Sequence, residues 1–148
     1  MFELADLYQQ LILDHNRSPR NQGRLDDAVR RSEGYNPLCG DRVMVYLALD
    51  GEVISDVAFE GAGCAISTAA ASLMTESVKG KTLSEATALF ERFREMVTGD
   101  ANPGDESLGK LEAFAGVRNY PARVKCATLA WHTLKAAIDT EHEVVTTE

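Results

Sequence analysis

Residues 41–64 read DRVMVYLALDGEVISDVAFEGAGC, and this stretch decides the architecture. In RVMVYLAL the residues Val43, Val45, Leu47 and Leu49 alternate with Arg42, Met44, Tyr46 and Ala48. A period of two in a run rich in β-branched and aromatic residues marks a strand with one face turned to a core. Asp50-Gly51 follows, a dipeptide that tolerates the positive φ angles of a two-residue hairpin turn. EVISDVAFE then resumes the alternation through Val53, Ser55, Val57 and Phe59. The two runs predict an antiparallel hairpin. Two strands alone are marginal in water, and residues 28–35 are the nearby candidate for a third.

Downstream the period changes from two to that of helices. After GAGC, the alanine-rich AISTAAASLMTESVKGK predicts a helix ending near Lys79, with Gly80 as a left-handed cap and Cys64 in the first turn. Thr82 and Glu85 have capping-box spacing ahead of Leu83, Ala86, Leu89, Phe90, Phe93, Met96 and Val97, and Gly99 closes that second helix. DANPGDESLG reads as a loop. Leu108, Leu111 and Phe114 suggest a short helix, and Pro121 opens a last long one through Trp131 to about Asp139. Upstream, Leu4, Leu7, Tyr8, Leu11 and Ile12 form an amphipathic helix that stops near Asn16, ahead of Pro19. The polar run that follows, HNRSPRNQGRLDD, reads as irregular surface chain. Strands grouped early and helices late imply an α+β fold: a small antiparallel sheet of about three strands covered on one face by helices. Residues 1–140 form a single domain in this reading, with 141–148 a flexible tail.

Composition narrows the function. A chain of 148 residues can bury a core without disulfides. Its net charge of -8 argues against a nucleic-acid binder, which needs clustered Lys and Arg. No apolar run approaches the roughly 20 residues of a membrane span, so no membrane partner is expected. The acidic and polar start does not read as an export signal. A cytoplasmic protein is expected, with protein or small-molecule partners.

The three cysteines, Cys39, Cys64 and Cys126, are an odd number at wide spacing, which argues against a disulfide framework. One reading makes them small buried hydrophobes. Another follows from position, because each lies at the end of an element: Cys39 in the Pro/Gly loop NPLCGD, Cys64 at a helix start, Cys126 in the first turns of a helix. A helix N-terminus favours a thiolate through its free N–H groups and dipole. Gly61 and Gly63 either let the backbone approach whatever the sulfur holds or merely turn the chain. Three thiolates and the Asp41 carboxylate supply four donors, the number of a tetrahedral zinc site. The spacing is not that of a zinc finger: 25 positions separate Cys39 from Cys64 and 62 separate Cys64 from Cys126.

LDHNRSPRNQG, NPLCGD, GAGCAISTAAASLMTESVKGK and RVKCATLAWHTL lie in the same chain order as in a known family. Together they resemble the SufU branch of the IscU/NifU-N family of iron–sulfur cluster assembly proteins over Leu4 to Ile138. The resemblance implies an antiparallel sheet plus helices, and it places Cys39, Asp41, Cys64 and Cys126 at the metal or cluster ligand positions. IscU-type scaffolds carry a histidine before the third cysteine, where this chain has Lys125, and lack most of the stretch between Gly99 and Tyr120. Both departures point to the SufU branch.

For that branch the resemblance implies a zinc-bound sulfur acceptor. It would take persulfide sulfur from a SufS-type cysteine desulfurase and relay it to SufBCD-type assembly machinery, so that it is a partner-dependent sulfurtransferase rather than a stand-alone enzyme. The other reading is a scaffold that assembles a transient 2Fe–2S cluster on Cys39, Cys64 and Cys126. Cys39, in a loop between turn formers, is the expected acceptor, with Arg123 steering the anionic persulfide. Arg123 and Lys125 flank Cys126 and read as charge compensation or as a solvated helix face. His132 reads as packing, His142 falls in the tail, and His15 reads equally as a partner surface or a structural hydrogen bond.

Overall fold

A computed structural model describes residues 4–26, 28–37, 40–98, 106–139 and 145–146. After helix α1 (Leu4–Arg17), three strands follow, β1 (Arg30–Asn36), β2 (Asp41–Asp50) and β3 (Val53–Ala62). Helices α2 (Ala65–Val78) and α3 (Leu83–Thr98), a 3₁₀ segment (Glu106–Asn119), helix α4 (Pro121–Ile138) and a short strand β4 (Val145–Thr146) complete the order. The sheet order is β3-β2-β1-β4, with β1, β2 and β3 antiparallel and β4 parallel to β1. The expected α+β architecture is thus present, with residues 28–35 contributing the third strand. Val145 and Thr146, assigned by sequence to a flexible tail, pair with Gly34 and Tyr35. Residues 99–105, 140–144 and 147–148 lie outside the described residues, and with them the Gly99 cap, most of the DANPGDESLG loop and His142.

The β2–β3 hairpin departs from the sequence reading in two places. Asp50 stays in the ladder opposite Val53, so the two-residue turn is Gly51-Glu52, and Gly51 takes the positive φ of 64°. Farther along, the register shifts: Ala48 faces Asp56 but Leu49 faces Ile54, which leaves Ser55 as an extra residue. A bulge of this kind reverses the parity of the strand beyond it. Ile54 therefore joins Val57 and Phe59 in the core, while Val53 and Ser55 are exposed.

Val43, Val45 and Leu47 of β2 join that apolar face, and α2 and α4 cover it. The core continues into α3 and the 3₁₀ segment, where buried Trp131 stacks on Phe93 with centroids 5.2 Å apart and Phe93 meets Phe114 edge-on at 5.9 Å. The Thr82/Glu85 capping box forms as expected, with Thr82 N–H donating to Glu85 Oε1 and Glu85 N–H donating to Thr82 Oγ1 at 3.0 and 3.1 Å. Such a cap contributes about 1 kcal/mol. The 3₁₀ segment, expected as one short helix, is broken by a kink at Gly109 with φ 53°.

The free edge of β3 is closed at two points, which removes a template for unwanted pairing. Phe59 exchanges backbone bonds with Asn21 and Gly23, and Ile54 does so with Gly80 and Lys81. On the far side of the sheet β1 lies close under α4. A side chain at Gly34 would overlap Thr133 of α4, so glycine is what lets this strand and helix approach.

Candidate metal centre

The end of the sheet from which β2 departs gathers residues from three distant segments. Asn36 faces Asp41 across the base of the β1–β2 hairpin, and Gly40 N–H donates to the Asn36 carbonyl at 2.8 Å, closing a four-residue loop from Pro37 to Gly40. Cys39 lies in that loop, outside the described residues. Asp41, the first residue of β2, is fully buried. β3 runs back past it, pairing Ala62 with Arg42, so that the chain turns through Gly63 into α2 directly over the Asp41 carboxylate. A Cβ at Gly63 would sit 2.7 Å from Asp41 Oδ1. Glycine at this position is therefore what admits the carboxylate beside the turn into α2.

Cys64 is the N-cap of α2, one position before the first turn where the sequence places it. Its backbone N–H donates to Asp41 Oδ1 at 2.8 Å, and its sulfur lies 3.8 Å from Asp41 Oδ2 and accepts from Ser67 N–H at 3.4 Å. The two carboxylate oxygens are therefore divided, Oδ1 engaged by backbone and Oδ2 turned to the sulfur. Cys126, in the second turn of α4, is fully buried and faces β1, where Asn36 Nδ2 lies 3.8 Å from its sulfur. Ligand atoms of Asp41, Cys64 and Cys126 all lie within 4.8 Å of one another.

The donor set suits zinc. Ligands 2.0–2.3 Å from a common tetrahedral centre are separated by about 3.3–3.8 Å, so the 3.8 Å oxygen–sulfur distance already matches and the remainder needs a small contraction. Asp41 gives independent support: it is a fully buried carboxylate with no ion-pair cation among the described residues. Buried charges are ordinarily paired or bound to a metal.

The other candidates sort differently. Arg123 is exposed and lies in the first turn of α4, lining a cleft of about 810 Å³ with Leu13, Ala65, Ile66, Val117 and Tyr120. It is thus outside the cluster of donors but in a cleft that reaches the residues next to Cys64. Lys125 is half-buried. His132 packs edge-on against Phe90 at 5.0 Å, as expected of a packing residue, and its pKa is lowered by burial and by Arg94. Of the two readings of His15, the structural bond is the one formed: the ring is buried and Nδ1 lies 2.7 Å from Ser72 Oγ. Asn36 was not singled out from the sequence, although it opens NPLCGD and shares with Gly34 the strand parity that faces α4.

A sheet built on three antiparallel strands, with helices on one face and thiol and carboxylate donors at one end, defines this molecule as an α+β domain with a candidate metal centre. The chain belongs to the NifU-like N-terminal domain family, whose model matches residues 7–127. It is 43% identical to the zinc-dependent sulfurtransferase SufU of Bacillus subtilis, over 93% of each chain. It is 46% identical to the iron–sulfur cluster assembly scaffold protein IscU of Streptococcus pyogenes, over 92% of this chain and 85% of that one. Among solved structures, a putative iron–sulfur cluster assembly scaffold protein for the SUF system from Fervidobacterium islandicum superposes with a TM-score of 0.84 at 38% identity, covering 92% of this chain and 99% of that one. These similarities bear out the SufU/IscU-like fold and the family expected from the four motifs. Among the described residues no helix is long and apolar enough to cross a membrane.

Proposed function

We propose that this chain is an iron–sulfur cluster biogenesis protein that accepts persulfide sulfur from a SufS-type cysteine desulfurase and relays it to SufBCD-type machinery in the reducing cytoplasm. The observation that carries the reading is the convergence of Asp41, Cys64 and Cys126 within 4.8 Å, at the base of the loop that holds Cys39. The proposed ligands are Cys39, Asp41, Cys64 and Cys126. Zinc held by them would keep the sulfurs as thiolates without oxidising them, because it is redox-silent.

Cys39 is the proposed acceptor. Its thiolate attacks the terminal sulfur of the donor persulfide; a new S–S bond forms on Cys39, the donor S–S bond breaks, and the donor cysteine leaves as a thiolate. The exchange is isoelectronic and needs no external oxidant. Cys64 and Cys126 are poorly suited to that role, one serving as a helix cap and the other enclosed. Arg123, exposed in the adjacent cleft, would pair with the anionic persulfide as it arrives. The test is a Cys39→Ala variant assayed for desulfurase stimulation and zinc content. Loss of stimulation is expected, whereas full stimulation with zinc retained would reject the assignment.

The second reading, a scaffold for a transient 2Fe–2S cluster, draws support from the similarity to the Streptococcus pyogenes scaffold protein. Protein purified without oxygen separates the two. Stoichiometric zinc that resists displacement by iron supports sulfur transfer, and a stable coloured cluster passed to an apoprotein supports the scaffold.

A further inference from the structure

We infer that Asn36 is a positioning residue that keeps Cys126 at the proposed metal centre. The inference rests on the proposed ligand role of Cys126. Asn36 is fully buried, and its two ends do different things. Its carbonyl accepts from Gly40 N–H at 2.8 Å and closes the base of the 37–40 loop. Its side-chain Nδ2 lies 3.8 Å from Cys126 Sγ, a long bond of the kind sulfur accepts. The opposite amide orientation would set the Oδ1 acceptor against an electron-rich sulfur, so the donor end is the one that belongs there.

The consequence concerns which sulfur stays. An N–H bond draws electron density from a thiolate and fixes its direction, and groups of this kind behind a metal ligand hold it in place. Cys64 has its own restraint in the Ser67 N–H and the cap geometry. Asn36 supplies the equivalent for Cys126 from the strand that leads into the Cys39 loop. Asn36 therefore contributes to the choice of acceptor by holding the sulfur that stays.

The experiment uses zinc-loaded full-length protein, with iodoacetamide labelling of each cysteine followed by mass spectrometry, in wild type and in Asn36→Ala. In wild type, Cys126 should label slowest. In the variant its labelling should rise about tenfold or more, within the range of outer-shell losses, while Cys64 changes less than about twofold. In the cobalt-substituted protein the sulfur-to-metal charge-transfer band should move to longer wavelength as Cys126 becomes the stronger donor. Unchanged Cys126 labelling and an unchanged band with metal bound would overturn the inference, as would equal acceleration at Cys64 and Cys126, which indicates general loosening. If the alanine variant does not fold, Asn36→Asp carries the same test, because it keeps the shape and replaces the donor with an acceptor. Zinc stoichiometry and persulfide uptake by the wild type report separately on the proposed function.

Discussion

Strand β2 begins and ends with an aspartate, and the two ends of this one strand have opposite fates. Asp50 is exposed beside a tight turn whose geometry is settled by the adjacent Gly51. Asp41 is completely buried, tied by one oxygen to the N-cap of α2 and facing two sulfurs with its carboxylate. Each lies next to a glycine of positive φ, Gly51 at 64° and Gly40 at 71°. Local chain grammar is therefore nearly the same at both ends. What differs is the company: at Asp50 the hairpin simply reverses, whereas at Asp41 the end of β3, the start of α2 and the second turn of α4 all arrive together. An acid beside a turn glycine becomes a site residue through neighbours remote in the chain.

The most severe way to break the comparison is to remove each carboxylate in turn. Asp41→Ala deletes a donor and leaves the Cys64 N–H without its acceptor, an omission that costs about 1–3 kcal/mol of stability. Zinc affinity, measured by competition with a chromogenic chelator, should fall about 100-fold or more, beyond the usual outer-shell effect. Asp50→Ala should leave zinc affinity unchanged and stability within about 0.5 kcal/mol. Equal zinc binding by Asp41→Ala and wild type would remove Asp41 from the ligand set.

A milder contrast uses the glycines. Alanine at Gly63 places a methyl 2.7 Å from Asp41 Oδ1, where the carboxylate is pinned and cannot simply swing aside. Overpacking of this kind costs about 1–3 kcal/mol, and displacing the carboxylate should weaken zinc about tenfold. Alanine at Gly51 meets open space but must hold a left-handed φ, at a cost of about 1 kcal/mol. Its zinc affinity should match wild type. Denaturant midpoints and the same chelator titration check both halves, and a zinc defect in Gly51→Ala would mean that the two ends of β2 are not independent.

This contrast also explains how much was readable in advance. The hairpin, the capping box, the Gly80 stop and the Pro121 start are signals spread over four to ten residues, so the sequence exposes them directly. The bulge at Ser55 is invisible to a period-two reading, because the extra residue declares itself only in the pairing with β2. Convergence of Asp41, Cys64 and Cys126 is likewise a property of how β2, α2 and α4 pack, with 62 positions separating the two cysteines. The four motifs pointed to these residues through resemblance alone. Asn36 escaped because an asparagine before proline reads as a turn former, and its inward parity matters only once Gly34 has let α4 close over the strand.

The smallest expected effect probes α2 between its site end and its remaining length. Ser72 Oγ accepts from Arg20 N–H at 2.8 Å and lies 2.7 Å from His15 Nδ1, so the buried imidazole is tied to α2. Burial first, and the Arg20 charge second, lower the His15 pKa below its ordinary 6.5. The unfolded chain then binds a proton at higher pH than the folded one. The stabilisation is complete above about pH 6.5 and is lost as pH falls below it, with a slope of at most about 1.4 kcal/mol per pH unit. His132, lowered in the same direction, adds to this loss. Urea unfolding of metal-stripped protein between pH 8 and 5.5 isolates the effect from proton competition at the thiolates. His15→Gln should flatten part of the acid slope, leaving the share of His132; an unchanged slope would show that His15 does not titrate as described. Eight residues of helix place Ser72 about 12 Å from Cys64 along the axis, beyond the usual range of coupling. Zinc affinity of His15→Gln at pH 7.5 should therefore stay within about twofold of wild type, because the latch between α1 and α2 fixes the position of the helix while the geometry of the site is fixed at its cap.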